Sequence, residues 1–231
     1  MAAIVLLSAG LDSAVNLKQA AMGSGVALAL TFDYGQRAAG REAACASFMC
    51  QQMGVPHRLV SLPWLQEICH TALVDASVAI PEITPPDLGE QPVTSGATAE
   101  AVWVPNRNGV FVNVAAAFAE SMGAETVVAG FNAEEAATFP DNSAGFVSAA
   151  NALLAYSTRS QVRVISYTQN LEKDAIVRLG RSLGAPIPSV WSCYYGKAEH
   201  CWRCESCARL EQALRSAGAW EWFQVQRLLP F

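Results

Sequence analysis

The chain has 231 residues and a mass of 24.6 kDa, which fits one large α/β domain with a small appendage. Hydrophobic residues make up 52% and charged residues only 15%, which excludes a disordered chain because disorder requires low hydrophobicity and high net charge. The net charge of −5 argues against direct nucleic-acid binding over a broad surface, although a local basic pocket could still hold a small anion.

Hydrophobic runs give no sign of a membrane-spanning segment. The longest stretch without Asp, Glu, Lys or Arg covers residues 142–158 and is interrupted by Asn, Ser and Gly. The N-terminus has no basic residue ahead of its short apolar run, unlike a signal peptide. We therefore expect a cytoplasmic protein that does not bind membranes.

Short apolar runs alternate with helical stretches along most of the chain. The apolar runs predict strands at residues 3–7, 26–32, 58–62, 125–130 and 162–166. Between and after them, a first helix is predicted through residues 14–20, closed by the glycine group at 23–25, and further helices at residues 37–53, 108–122, 144–156, 173–183 and 208–216. Strand–helix alternation with short connections predicts right-handed crossovers and an α/β fold with a Rossmann-like, doubly wound parallel sheet.

Two regions depart from this alternation. Residues 63–105 are interrupted by Pro81, Pro85, Pro86 and Pro92, and we interpret them as a variable loop excursion with a functional role. Residues 189–231 contain a cysteine cluster and an aromatic tail. The predicted organisation is therefore a nucleotide-binding domain over residues 1–188 and a cysteine knuckle with a C-terminal helix over residues 189–231.

A loop of small residues, Ser8-Ala9-Gly10, separates the first predicted strand from the first predicted helix. Such a loop presents backbone N–H groups at a helix N-terminus, which is a binding geometry for anions, and Asp12 or Ser13 can cap the helix. It is neither a Walker A loop, which needs Gly-Lys-Ser/Thr, nor a dinucleotide fingerprint, which needs three glycines. An ordinary strand–helix turn remains the alternative.

Four of the seven cysteines lie close together near the C-terminus, at Cys193, Cys201, Cys204 and Cys207. Two overlapping Cys-x-x-Cys steps suit tetrahedral Zn²⁺. Unligated buried cysteines and an iron–sulfur cluster are the alternatives. The upstream fourth cysteine and the lack of a Cys-Pro continuation favour zinc.

Several motifs, taken together, resemble a known family. Residues 7–13 resemble the Ser-Gly-Gly-x-Asp-Ser pyrophosphate loop of ATP pyrophosphatases. Ala9 stands where that loop usually has its first glycine. The methyl group of Ala9 costs about 1 kcal/mol only if the φ angle of this residue is positive. With the segments at residues 31–37, 104–108, 130–133, 139–141 and 191–194, the chain resembles the 7-cyano-7-deazaguanine synthase family of the queuosine pathway from Ile4 to about Gly218.

The resemblance implies an ATP-dependent carbon–nitrogen ligase, usually homodimeric, with a structural zinc ion on the four cysteines. Its substrates would be 7-carboxy-7-deazaguanine, ammonia and ATP with Mg²⁺, and its product the nitrile. The implied ATP-binding residues are Leu7, Ser8, Ala9, Gly10, Leu11, Asp12, Ser13, Ala14, Val15, Asn16 and Leu17.

The implied catalytic residues are Asp12 as a partner of Mg²⁺, Arg107 as a clamp, and Lys173 as a neutraliser of phosphate charge. Strand-end residues are expected at the sheet edge where ligands bind in open α/β folds. Arg37 is a second candidate clamp, Asn108 a candidate helix cap, and Asp141 or Asn132 a candidate for recognising the Watson–Crick edge of a purine-like base. The substrate-binding set is Tyr34, Gln36, Arg37, Arg107, Asn108, Asn132, Phe139, Asp141 and Trp191.

Some positions differ from the usual family pattern. Besides Ala9, these are Asn106 and Trp202, where Gly is usual, the pair Asn142-Ser143, where Cys-Arg is usual, and the neighbours of Lys173. They leave open a paralogue that stops at the amide or adenylates another acyl substrate. A tRNA-thiolating enzyme is disfavoured by the acidic charge. A non-enzymatic binding module is disfavoured by the joint presence of the Arg107 and Asp33–Arg37 motifs.

Overall fold

A computed structural model describes residues 2–83 and 96–227 of the chain. Its sheet has five strands: β1 Ala3–Leu6, β2 Val26–Asp33, β3 His57–Ser61, β4 Thr126–Val128 and β5 Arg163–Ile165. All neighbours pair in parallel in the order β3-β2-β1-β4-β5. The predicted doubly wound α/β fold is therefore confirmed, with the chain reversing its direction of winding at β1.

Ten α-helices cover the sheet and its edges within the described part of the chain. They are α1 Leu11–Met22, α2 Ala39–Met53, α3 Pro63–Glu67, α4 Gly96–Val102, α5 Arg107–Met122, α6 Ala133–Ala136, α7 Ala144–Ser157, α8 Lys173–Leu183, α9 Glu205–Ser216 and α10 Trp220–Gln226. Short 3₁₀ turns lie at Pro140–Asn142 and Ile187–Ser189. None of these helices is both long and apolar enough to cross a membrane.

Helices cover both faces of the sheet, which accounts for the low charge content of the chain, and the central strand β1 shows this most clearly. Ala3 and Val5 of β1 point into one apolar cluster with α1, α2, α8 and α9, while Ile4 points into a second cluster with α5 and α7. Side chains alternate between the faces of a strand, so a sheet covered on both faces requires apolar residues at successive positions. The sequence of β1, Ala-Ile-Val-Leu, meets that requirement.

The predicted element boundaries need small corrections. Helix α2 begins at Ala39 rather than Arg37, because residues 34–38 form the turn after β2. Helix α9 begins at Glu205 rather than Ala208, directly after a metal-site cysteine. The region 63–105 contains α3 and α4, whereas Pro85, Pro86 and Pro92 lie outside the described residues. The domain division at residue 188 stays a prediction.

Candidate active site and candidate metal centre

A cavity of about 280 Å³ opens at the carboxyl ends of β1, β2 and β4. Open parallel sheets bind ligands at this edge, at the point where the order of strand addition reverses. In this sheet the order reverses between β1 and β4. Three groups of lining residues form the loop wall, the β2 wall and the knuckle wall of this cavity. The loop wall is Ser8, Gly10, Asp12, Ser13 and Gly130; the β2 wall is Phe32, Tyr34, Glu42, Arg107 and Phe111; the knuckle wall is Trp191, Ser192, Tyr194, Glu205 and Arg209.

The loop wall has the geometry of an anion-binding turn. Ala9 has a φ of 62°, in the left-handed region, and turns the backbone so that Gly10 becomes the N-cap of α1. Ser13 Oγ donates to Gly10 O at 3.0 Å and lies 3.2 Å from Ser8 Oγ. The expectation that Asp12 or Ser13 caps the helix is wrong, because both lie inside its first turn. The N–H groups that start α1 therefore face the cavity without a side-chain cap.

A cation between two carboxylates lies beside the loop wall. Lys173 Nζ is 3.2 Å from Asp12 Oδ2 and 2.6 Å from Glu135 Oε1. Burial raises the pKa of Asp12, and although Lys173 opposes this effect, the pKa stays above its ordinary value. Burial would lower the pKa of Lys173, but the two carboxylates raise it overall, so the ammonium form is favoured. Asp12 Oδ1 is buried and has no hydrogen-bond partner among residues 2–83 and 96–227.

The β2 wall combines a half-buried cation with aromatic rings. Arg107 Nη1 donates to Tyr34 Oη at 3.3 Å, and Phe111 stacks on Phe32 with ring centroids 4.1 Å apart. Burial raises the pKa of the Tyr34 hydroxyl despite the nearby guanidinium, so Tyr34 stays neutral. The structure therefore brings Tyr34 and Arg107, two of the predicted site residues, into contact next to a flat apolar surface.

Other predicted site residues also line the cavity. Asn108 and Phe139 do so near the β2 wall, and Trp191 does so on the knuckle wall. Asn108 does not cap α5, contrary to expectation; Asn106 is the N-cap, with a φ of 52°, and the Asn108 amide instead donates to Asp141 O at 3.3 Å. Within the implied ATP-binding segment, Leu7 and Leu11 line the cavity as well, whereas Ala14, Val15 and Leu17 are buried in the core.

Several predicted residues lie behind the cavity rather than in its wall. The guanidinium of Arg37 donates to the backbone carbonyls of Asp75 and Val78. Gln36 bonds to Phe32 O and Glu42, and Asn132 Oδ1 caps α6 by accepting from Glu135 N at 2.8 Å. These contacts hold the surrounding loops in place, although Arg37 Nε and Asn132 Nδ2 are buried without a hydrogen-bond partner among the described residues.

Two further predicted residues have a supporting position. Asn16 donates to Asp12 O at 2.9 Å and to Thr168 Oγ1 at 2.7 Å, so it fixes the first turn of α1. Asp141 lies in the 3₁₀ turn near Arg107; burial raises its pKa, and the guanidinium only partly offsets that effect. Neither side chain contributes to the cavity lining.

Four charged residues of the cavity were missed by the sequence reasoning: Glu42, Glu135, Glu205 and Arg209. A signal existed for two of them. Glu205 and Arg209 are an i, i+4 pair of opposite charge on either side of the last motif cysteine, Cys207, in a chain with few charges. Glu135 follows the strand-end residue Asn132 closely, but only the fold shows that Lys173 lies beside it.

The four predicted metal ligands come together at the start of α9. The Sγ atoms of Cys193, Cys201, Cys204 and Cys207 all lie within 4.8 Å of one another. A tetrahedral ion with Zn–S bonds of about 2.3 Å requires S···S separations of about 3.8 Å. The Cys201–Cys207 separation of 3.9 Å fits that value. Four sulfurs this close suit a single ion, whereas an iron–sulfur cube would have to lie between them and hold them farther apart.

The backbone around the sulfurs favours thiolate ligands. The N–H groups of Arg203 and Cys204 donate to Cys201 Sγ at 3.4 and 3.2 Å. Trp202, at φ 54°, makes the turn between the second and third cysteines and packs edge-on against Trp220. The residues present therefore fit a structural metal.

Comparison with known proteins gives consistent matches. The family model described as "Queuosine biosynthesis protein QueC" matches residues 2–218. The 7-cyano-7-deazaguanine synthase of Desulforudis audaxviator is 56% identical over 218 residues, covering 94% of this chain and 98% of the relative. Those of Pelotomaculum thermopropionicum and Methanosarcina barkeri are 53% and 46% identical, covering 94% of this chain in both cases and 98% and 95% of the relatives.

Proposed function

The chain belongs to the family of the queuosine biosynthesis protein QueC, and we propose that it is an ATP-dependent ligase that converts 7-carboxy-7-deazaguanine and ammonia into 7-cyano-7-deazaguanine. The observation that carries this proposal is the cavity. It combines an uncapped helix N-terminus, the buried ammonium of Lys173, the half-buried guanidinium of Arg107 and an aromatic wall in one space. Relatives that share more than half of the sequence carry the corresponding name.

The loop wall is the proposed site of the ATP phosphates. Backbone N–H groups at the start of α1 and the hydroxyls of Ser8 and Ser13 can donate to pyrophosphate oxygens. Asp12 Oδ1, which has no partner in the described chain, is an oxygen ligand of the kind that Mg²⁺ prefers. Bound there, Mg²⁺ would neutralise phosphate charge and favour release of pyrophosphate. The ammonium of Lys173 is next to this position and adds a fixed positive charge.

The first half of the proposed reaction makes an amide. A carboxylate oxygen of the substrate attacks the α-phosphorus of ATP, and pyrophosphate leaves toward the loop wall. Ammonia then attacks the acyl carbon, AMP leaves, and a proton is lost. Arg107, which lines the cavity beside Tyr34, can hold the substrate carboxylate or the α-phosphate in line for these steps.

The second half removes the oxygen atom. The amide oxygen attacks the α-phosphorus of a second ATP, pyrophosphate leaves, and the nitrogen loses one proton. The oxygen then leaves as part of AMP while the nitrogen loses its second proton, and the nitrile forms. The chain needs no side-chain nucleophile for either half. The residues contribute by positioning the reactants and by stabilising the charge that develops on them.

The metal centre has a structural role in this proposal. Cys193, Cys201, Cys204 and Cys207 would hold Zn²⁺, which stabilises the short segments that form the knuckle wall. A homodimer in the cytoplasm completes the proposed picture. Light scattering of the purified protein measures the assembly directly.

The deciding experiment uses purified protein with ATP, Mg²⁺, ammonium and 7-carboxy-7-deazaguanine, and follows the products by mass. We expect the nitrile, with two AMP formed per nitrile. A parallel reaction supplied with the amide should need one ATP and no ammonium. Amide alone would indicate the paralogue that stops half-way, and the absence of both turnover and an ATP-dependent adduct would overturn the proposal.

A further inference from the structure

Glu205 is the least exposed charged residue of the cavity wall. It begins α9 directly after Cys204, and only 2% of its surface is accessible. A charged side chain is rarely buried to this degree without partners for each polar atom, because burial removes its hydrogen bonds to water. The partners of Glu205 are therefore informative.

One oxygen of Glu205 is saturated and the other is not. Oε1 accepts from Arg209 Nε at 3.0 Å and from Arg209 Nη2 at 2.9 Å. Arg209 Nη1 donates to Glu134 Oε1 at 2.8 Å, so the guanidinium is held on both sides. Oε2 of Glu205 is buried and has no hydrogen-bond partner in the parts of the chain that the structure describes. The carboxylate is thus fixed in place with one acceptor free beside the cavity.

A second buried polar atom without a partner lies on the same wall. Ser192 Oγ has none among the described residues, although Ser192 N donates to His200 Nε2 at 3.3 Å. The adjacent Trp191 ring is fixed by its indole N–H, which donates to Cys193 O at 2.9 Å. The knuckle wall therefore presents a rigid surface with two unsatisfied groups, which is the arrangement expected of a binding surface for a polar ligand.

We propose that Glu205 Oε2 accepts a hydrogen bond from the 2-amino group of the deazaguanine base and so selects this base. The inference rests on the proposed function. A carboxylate oxygen only accepts hydrogen bonds, so the group opposite must be a donor. The 2-amino-4-oxopyrimidine edge offers two adjacent N–H donors, whereas the adenine edge places a ring-nitrogen acceptor beside its amino group.

The residues predicted for this role are less suited to it. Asn132 Oδ1 is used as the cap of α6, and Asp141 does not line the cavity. Glu205 belongs to the knuckle wall, directly after Cys204 on the cysteine-bearing segment, rather than to a strand end. The metal centre thereby gains a function in the proposal, because it fixes the residue that recognises the base.

The test compares Glu205→Gln with Glu211→Gln on the same helix. Glu211 pairs with Arg215 outside the cavity and is the matched control. Calorimetry measures binding of 7-carboxy-7-deazaguanine and of its analogue lacking the 2-amino group, to each protein. Zinc content and the unfolding temperature report on folding.

Wild-type protein and Glu211→Gln should bind the parent base about 100-fold more tightly than the analogue, because the analogue leaves a buried acceptor unpaired. Glu205→Gln presents an amide donor to the 2-amino group, so its preference should fall to near unity while its KM for ATP stays unchanged. A structural defect alone would weaken both ligands equally and preserve the ratio.

The outcomes separate the two proposals. If wild-type protein forms the nitrile but binds the analogue as tightly as the parent base, the role of Glu205 is overturned and the proposed function stands. If wild-type protein neither binds nor converts the parent base, the proposed function fails. Should Glu205→Gln lose zinc or fail to fold, the wild-type comparison of the two bases still decides the matter.

Discussion

Lys173 Nζ lies 3.2 Å from Asp12 Oδ2, so the first residue of α8 contacts the first turn of α1 across the site. Glu135 approaches the same ammonium at 2.6 Å. One cation between two carboxylates leaves a net negative charge in a largely buried position. A bound divalent cation would balance that charge, which is consistent with ATP entering as its Mg²⁺ complex.

Replacing Lys173 with Met should lower kcat/KM by about 100-fold or more, since a fixed positive charge next to the departing pyrophosphate is lost. Release of pyrophosphate in the coupled assay measures the effect. Lys173→Arg keeps the charge in a different shape and should retain part of the activity.

Lys18→Met is the matched control for this prediction, since Lys18 lies on α1 but outside the cavity wall. It should behave as wild type. Wild-type pyrophosphate release by Lys173→Met, with the protein folded, would remove Lys173 from the proposed chemistry.

The left-handed backbone positions illustrate what the sequence could and could not predict. Ala9, Asn106 and Trp202 stand where the resembled family usually has glycine, and the structure gives them φ values of 62°, 52° and 54°. Glycine adopts such values without steric cost, so the usual glycines have a conformational reason. The residues alone could not show φ, because this chain carries side chains at all three positions.

The strands and the doubly wound parallel sheet were predictable because each buried strand is a short apolar run and helical stretches alternate with the strands. The polar residues were harder to assign. Arg37 was expected at the ligand, but the turn after β2 directs its guanidinium to the carbonyls of Asp75 and Val78. The pairing of Glu205 with Arg209 has a sequence signal, but the contact of Arg209 with Glu134, which holds the guanidinium from its other side, arises only in the fold.

Gly130 is a second point at which close packing controls the site. A Cβ atom there would lie 2.8 Å from Ser13 N and 3.1 Å from the carbonyl carbon of Asp12. These are backbone atoms of the proposed phosphate turn and cannot move independently. Gly130→Ala should therefore destabilise the protein by about 1–3 kcal/mol and raise the KM for ATP. Urea unfolding and steady-state kinetics measure the two effects.

Gly40→Ala is the contrasting variant. Gly40 lies inside α2, and a Cβ atom there would have no neighbour within 4 Å. Because alanine is the better helix former, this change should stabilise the protein by about 0.5–1 kcal/mol without altering kinetics. Equal changes in the free energy of unfolding and in the KM for ATP of the two variants would contradict the packing argument.

His57 gives the protein a pH-dependent stability. Its Nε2 lies 2.8 Å from Thr31 Oγ1, and partial burial lowers its pKa below the ordinary value. As the pH falls through the ordinary pKa of histidine, the unfolded chain binds more protons than the folded one. The free energy of unfolding therefore decreases with acidification. Urea unfolding between pH 7.5 and 5.5 should show this decrease, and His57→Gln should reduce its slope.

His70 provides the comparison for that slope, because its ring is exposed. His70→Gln should keep the wild-type dependence on pH. An unchanged slope in His57→Gln would show that other groups cause the loss of stability.

The metal centre should contribute directly to folding. Cys204 is fully buried and is the N-cap of α9, the helix that carries Glu205 and Arg209. Cys204→Ser should lower the zinc content from one ion per chain and lower the unfolding temperature by about 10 °C, since a structural site supplies several kcal/mol of folding free energy. Elemental analysis and calorimetry measure these quantities.

Cys45→Ala is the matched cysteine control, because Cys45 lies on α2 outside the four-sulfur group. It should retain its zinc and most of its thermal stability. Full zinc content in Cys204→Ser, or an iron chromophore in the wild-type protein, would contradict the assignment. Loss of zinc together with weaker binding of the base would instead connect the metal to the knuckle wall, because α9 holds both.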